Sequence, residues 1–267
     1  NFIFLRQLFD CFNGYLLVVR QLLLLLFFVS IGISANAQKH DWAKKIRCFP
    51  TTSNNVTPTA LATDDSNNIY IGGAFRDSLF IENDTHYFQS NGTNRAIYLA
   101  KFKEDGSLVW SKSITSALSA NLKDIVINSS GSIILYGDYS TSSVSTSISF
   151  GSYSLTQSRG VFVAFLNSSG TFTSARDLVY AATFIAANGI KLGPNDEIYT
   201  YNYLNGFGGG WTINSTTGAV SGSGFTVVFC KHDSLGRRLR WYQNYTINQH
   251  IENGSLGVEP NGNLIYT

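Results

Sequence analysis

From residue 42 onward, short apolar stretches alternate with clusters of Asn, Asp, Ser and Gly, and no helical period interrupts them. Alternating positions at Leu61 and Thr63, Ile125 and Ile127, Ile190 and Leu192, and Leu256 and Val258 each predict a half-buried strand. A polar turn follows each pair: Asp65-Ser66-Asn67-Asn68, Ser129-Ser130-Gly131-Ser132, Pro194-Asn195-Asp196-Glu197 and Pro260-Asn261-Gly262-Asn263. A second strand comes next, at Ile69-Tyr70-Ile71, Ile133-Ile134-Leu135, Ile198-Tyr199-Thr200 and Leu264-Ile265-Tyr266. Two apolar runs broken by such a turn are the mark of a β-hairpin. A third strand runs through Ile97 to Phe102, Val161 to Leu166 and Phe225 to His232, ending at turns that carry Gly106, Gly170 and Gly236.

The pattern repeats. Trp42-Ala43-Lys44-Lys45-Ile46 recurs as Trp110-Ser111-Lys112-Ser113-Ile114, in degraded form at Ala175, and again at Trp241, in steps of 68, 65 and 66 residues. Units counted from this slot span about 42–109, 110–174, 175–240 and 241–267. Four strands per unit and no helix predict an all-β fold, a partial β-propeller of about 3.5 four-stranded antiparallel blades. Each sheet has two faces, and stacking of neighbours covers them. Aligned units put Gly73, Gly137 and Asn202 at one position. Asn is the residue that best replaces Gly at positive φ, so a backbone constraint is expected there. The same alignment sets Cys230 where Ala100 and Ala164 stand, as a small buried packing residue. It sets His232 where Phe102 and Leu166 stand, as a structural histidine. The chain has no Met and stops inside a strand. We read it as a fragment whose open edge favours self-association.

Trp42, Asn68-Ile69-Tyr70-Ile71-Gly72-Gly73-Ala74-Phe75, Leu99-Ala100-Lys101-Phe102, Gly106 and Trp110 together resemble the bacterial β-propeller repeat called the SBBP repeat. The second unit keeps Gly137, Tyr139, Ala164 and Gly170; the third departs, with Ala175 for Trp and Asn202 for Gly. The resemblance covers residues 42–267 and speaks to fold rather than activity. It implies an exported protein of Bacteroidetes-like bacteria.

The N-terminal region adds an address. Arg20 precedes an apolar run at residues 22–29, and the segment closes on Ala35-Asn36-Ala37. A cationic residue, a short apolar stretch and a small-x-small ending form a signal peptide, 1–37, with cleavage after Ala37. The run is short for a membrane span, so no stable span is expected after removal. Secretion or display at the cell surface follows. Composition agrees: Tyr (14) and Phe (19) are abundant, as strands favour. Nineteen Lys and Arg against 17 Asp and Glu leave +2, without the clustered basic footprint that nucleic acid requires. Cys48 and Cys230 do not make a disulfide framework, though one bridge between them stays open.

Candidate chemistry is sparse. Asp64-Asp65-Ser66-Asn67-Asn68 offers oxygen ligands but lacks the Gly and distal Glu of a calcium loop, so a plain turn is expected. His40-Asp41 and His232-Asp233 are strand neighbours that point to opposite faces. His86 and His250 lack metal-ligand spacing. Gly206-Phe207-Gly208-Gly209-Gly210 lacks the Lys-Ser/Thr of a phosphate loop. No catalytic, cofactor-binding or metal residue is assigned, and no cofactor is expected. Three functions stay open. The first is a non-catalytic scaffold presenting loops for binding or adhesion, with an extracellular protein or glycan as partner. The second is a hydrolase or lyase acting on extracellular polysaccharide, which would need carboxylates such as Asp138 or Asp177 converging on one channel. The third is a structural spacer in a larger surface protein.

Overall fold

The computed structural model describes residues 19–21, 42–49, 56–88, 95–114, 119–140, 147–181, 184–205, 211–213, 220–222, 225–244 and 256–266. The chain divides into residues 1–43 and 44–267. Of the first, residues 19–21 form a helical turn; the rest of the expected signal peptide, 1–37, lies outside the described residues. No described helix is long and apolar enough to cross a membrane.

Residues 44–267 are built from antiparallel sheets. In chain order the strands are β1 (Ile46–Phe49), β2 (Val56–Thr63), β3 (Ile69–Phe75), β4 (Asp77–Ile81), β5 (Asp84–Phe88), β6 (Ala96–Phe102) and β7 (Leu108–Ile114). There follow β8 (Ser119–Ile127), β9 (Ile133–Ser140), β10 (Ile148–Phe150), β11 (Tyr153–Leu155), β12 (Arg159–Leu166) and β13 (Phe172–Ala181). The last group is β14 (Phe184–Leu192), β15 (Ile198–Asn205), β16 (Trp211–Ile213), β17 (Val220–Gly222), β18 (Phe225–His232), β19 (Arg238–Asn244), β20 (Leu256–Val258) and β21 (Leu264–Tyr266).

Three sheets share one plan. The first has strand order β2-β3-β6-β7, the second β8-β9-β12-β13, and the third β14-β15-β18-β19; β20-β21 begins a fourth. Their second strands start at Ile69, Ile133, Ile198 and Leu264, at intervals of 64, 65 and 66 residues. Each insertion between the second and third strands carries its own short strands. β4 and β5 form a sheet with β1, β10 and β11 form a hairpin, and β16-β17 adds to β13 as the outer edge of the second sheet. The sheets run one strand out of phase with units counted from tryptophan, because Trp110 lies on the fourth strand, β7.

The turns explain the strand ends. In each third-to-fourth hairpin the first turn residue accepts a backbone bond from the Gly three positions on: Gly106 to Lys103, Gly170 to Asn167 and Gly236 to Asp233, each at 2.9 Å. Those glycines have φ of 74–80°, where L residues are strained. The side chains of Asn167 and Asp233 also accept from the backbone N–H four residues on, at 2.9 and 2.8 Å. That is why short Asx residues open these turns.

The constraint at Gly73 and Gly137 is not positive φ. Neither glycine, nor Asn202, appears among the left-handed residues. Each stands beside a β-bulge in the first strand of its sheet, where the register slips at Pro58/Ala60, Leu122/Asp124 and Ala187/Gly189. The bulge alone does not exclude a side chain, since Asn202 carries one beside the same register slip. A Cβ on Gly73 would sit 2.1 Å from the Thr57 carbonyl oxygen, and one on Gly137 2.1 Å from that of Asn121. Crowding, not torsion, demands glycine.

The core lies between sheets. Leu99 and Ile97 of the first sheet meet Ile125, Leu135 and Phe162 of the second. Tyr136, Val161 and Val163 on the other face of the second meet Ile190, Ile198 and Cys230 of the third. Tyr199, Tyr201 and Val227 receive Leu256. Each large apolar side chain so buried contributes about 1.5–3 kcal/mol. Leu61 occupies the position of Ile125, Ile190 and Leu256, yet it is 67 % exposed: among the described residues no preceding sheet covers it. The far end of that same face is covered instead by Leu79 and Ile81 of β4, with Ile46 and Cys48 of β1 packed alongside.

Candidate functional site

Asp138 and Asp177 belong to one sheet but to opposite faces. Asp138 on β9 is the cross-strand partner of Val161, and Asp177 on β13 that of Phe162, the next residue along β12. Successive strand residues point to opposite faces. The two carboxylates therefore do not converge on one bond. Asp138 accepts from Asn121 Nδ2 at 2.9 Å and from the Ala187 N–H of the third sheet at 3.2 Å. Burial raises its pKa. Asp177 accepts from the Tyr139 hydroxyl at 2.8 Å, and burial pushes its carboxyl up to about 6.

His232 and Cys230 stand where the aligned repeats put them. Cys230 is fully buried against the second sheet, and burial pushes its thiol up to about 12. Cys48 on β1 is likewise in no disulfide, its thiol raised to about 11 by burial, so the bridge between the two is not formed. His232 belongs to a buried polar chain that crosses between sheets. Tyr136 Oη lies 2.8 Å from Asn202 Oδ1; Asn202 Nδ2 donates to Thr200 Oγ1 at 3.4 Å; Thr200 Oγ1 lies 3.3 Å from His232 Nε2. His232 Nδ1 is buried and has no hydrogen-bond partner. Desolvation holds the imidazole down to about 3, so it is neutral at physiological pH. This chain orders an interface.

Asp64 closes its own turn. It accepts from the Ser66 and Asn68 N–H groups at 3.0 and 2.9 Å, and from the Asn68 amide and the Tyr70 hydroxyl. Both oxygens are thus engaged within the hairpin. Partial burial alone would raise its pKa, but these donors outweigh burial and hold it below the usual range. His40, Asp41, His250 and residues 206–210 lie outside the described residues. Among the described residues, no three His, Cys, Asp or Glu side chains gather as a metal site requires.

One cluster escaped the sequence reading. Ser111 Oγ on β7 donates to Asp84 Oδ2 at 2.6 Å and lies 2.7 Å from His86 Nε2, both on β5. The three residue types suggest a hydrolase, but the order is wrong. With its proton committed to Asp84, Ser111 must accept from His86. The imidazole then has no lone pair directed at the hydroxyl to act as a base. The cluster fastens the β4–β5 insertion to the outer strand of the first sheet. No motif could reveal it, since Ser111 is 25 residues from His86.

The strand register also corrects the tryptophan slot. Trp110 pairs with Lys101, whose equivalents Phe165 and Lys231 pair with Ser174 and Arg240. Ala175 and Trp241 are one residue further along, equivalent to Ser111. A shift of one residue on a strand changes the face.

A cavity of about 820 Å³ opens on the far face of the third sheet, beside β21. Glu197, Tyr199, Phe229, Lys231 and Arg240 line it, with the Asn261–Asn263 turn. Lys231 Nζ pairs with Glu197 at 2.7 Å and lies 5.2 Å from the Tyr199 ring centroid. The first sheet has a Lys and a Tyr at the equivalent positions, with the acid supplied from the other end of the turn, since Asp64 is the counterpart of Gly193 and not of Glu197. Lys101 Nζ is 3.6 Å from Asp64 and 5.0 Å from the Tyr70 ring centroid.

Compared with known proteins, the chain matches no family model, and no curated protein matches it.

Proposed function

We propose that this chain is an exported repeat scaffold of the β-propeller type, akin to the SBBP repeat, that presents its insertions as a non-catalytic binding or adhesion surface. The extracellular partner is a protein or a glycan. The observation that carries the reading is the contrast between frame and insertions. The four-strand frame recurs at 64–66 residues with like turns and matching bulges. The segments between second and third strands differ in charge and in glycine and aromatic content. Residues 76–95 carry Arg76, Asp77, Glu82, Asp84, His86 and Arg95; residues 141–158 are Ser- and Thr-rich without charge; residues 206–224 are Gly-rich with Trp211. A constant scaffold with divergent connections is how binding proteins vary specificity at fixed stability. The successive packing of one sheet face on the next supports the propeller form. The signal-peptide pattern supports export.

The test is to express the chain with its leader and recover it outside the cell. The recovered protein is then probed on panels of glycans and extracellular proteins, beside variants Asp138→Asn and Asp177→Asn. Binding that survives both substitutions but falls when the exposed β10–β11 positions Ser149 and Ser154 are changed to Lys agrees with the proposal. Cleavage of a polysaccharide that disappears in either Asp variant would overturn it, as would retention in the cytoplasm.

A further inference from the structure

We infer that the cavity beside Lys231 and the outer edge of β21 form one acceptor site for a β-hairpin of the repeat's own third-and-fourth-strand type. The ligand is a polypeptide hairpin whose turn has an Asx residue first and Gly fourth.

Two filled copies of the seat lie within the molecule. In the first, the second sheet's outer turn (residues 167–171) docks on the first sheet. Lys101 Nζ and Trp110 Nε1 both donate to the Ser168 carbonyl at 3.4 Å. Gly170 lies so close that a Cβ there would be 2.7 Å from Lys112 Cε and 2.9 Å from the Trp110 ring. In the second, the third sheet's outer turn docks on the second sheet. A Cβ on Gly236 would fall 2.9 Å from Val163 Cγ1 and 3.5 Å from the Phe165 ring.

Register fixes the correspondence. Lys101, Phe165 and Lys231 share one position. Leu99, Val163 and Phe229 share the position two residues earlier, and Trp110, Ser174 and Arg240 the one across the strand. On the third sheet these residues, Phe229, Lys231 and Arg240, line the cavity. The seat is thus present and lined, with two cationic side chains placed where Lys101 and Trp110 hold a turn carbonyl.

The edge beside it is of the matching kind. β3, β9 and β15 each pair on both sides, with the first and third strands of their sheets. Among the described residues β21 pairs with β20 alone. A hairpin whose leading strand adds to β21 would extend its turn into the cavity, as the hairpins of the second and third sheets extend theirs onto the sheet before. Edge addition supplies backbone hydrogen bonds for affinity, while pockets for alternate side chains and the turn supply selectivity.

The probe is a cyclised peptide hairpin copying residues 160–176, a sequence that already fills the first seat. Added to the full chain and followed by NMR, it is expected to bind and to shift Lys231, Arg240 and the β21 amides. Replacing its Gly170 by Ala should weaken binding at least roughly tenfold, since the methyl would strike the seat. N-methylation of the strand facing β21 should abolish it. In the protein, Lys231→Ala should weaken binding. Arg240→Ala, at an exposed edge position, gives the same readout should Lys231→Ala disturb folding. No binding at about 1 mM peptide would overturn the inference. So would affinity indifferent to Gly170→Ala, or shifts confined to other surfaces.

Discussion

His232 and Asp177 show how two buried groups set opposing responses to acid. The His232 imidazole is held near 3, against 6.5 in the unfolded chain. It contributes stability above pH 6.5 that is lost as pH falls, about 3 kcal/mol by pH 4. The Asp177 carboxyl is raised from 3.8 to about 6. Its ionisation costs stability above pH 6, and that cost of about 3 kcal/mol is relieved as pH falls toward 4. The two slopes oppose each other between pH 6 and 4. Asp177→Asn should therefore make stability fall more steeply with acid than in the parent chain, and His232→Phe should make it fall less. Urea unfolding at pH 4, 5, 6 and 7.5 measures both. Parallel profiles for the three proteins would show that neither group titrates as its burial requires. Burial of His232 was legible from Phe102 and Leu166 at its position. The Asp177–Tyr139 bond was not, because the two residues are 38 apart and meet only after the sheet forms.

At the level of strands, the frame was open to reading and the irregularities were not. Second strands, turns and glycine-bearing ends are announced by apolar alternation and Asx-Gly chemistry, and they stand where that pattern puts them. The insertion strands β4, β5, β10, β11, β16 and β17 are three to five residues long, too short to show a period. The slot at Trp241 was misread by one residue because side-chain likeness was aligned without strand pairing: the bulge before the slot is common to all three sheets, and the tryptophan itself sits one position further along this strand than Trp110 does on its own. Crowding decides what glycine does here. Gly73→Ala and Gly137→Ala place a methyl about 2 Å from a carbonyl oxygen and should each cost more than about 3 kcal/mol. Gly131→Ala, at φ 76° with open space around it, should cost about 1 kcal/mol. Thermal unfolding of the three variants ranks them. A Gly131 variant as damaged as the other two would mean that torsion, not crowding, is the stronger demand.

Across the whole molecule, the sheets are not independent beads. The hairpin β16-β17 belongs in sequence to the third sheet yet hydrogen-bonds to β13 of the second, through Val179 with Ile213, Tyr180 with Thr212 and Ala181 with Trp211. Polar bridges at the other end link the same pair, where Asp196 accepts from Ser129 N–H and Oγ at 2.9 and 2.6 Å. Stretched between its ends, such a chain resists as a sewn seam rather than a row of buttons. Residues 119–244 should give way in a single extension step under force spectroscopy, since neither sheet can peel off without tearing the stitch. Deleting residues 211–222 should split that step into two smaller ones, the mechanical signature of sheets released from a shared thread.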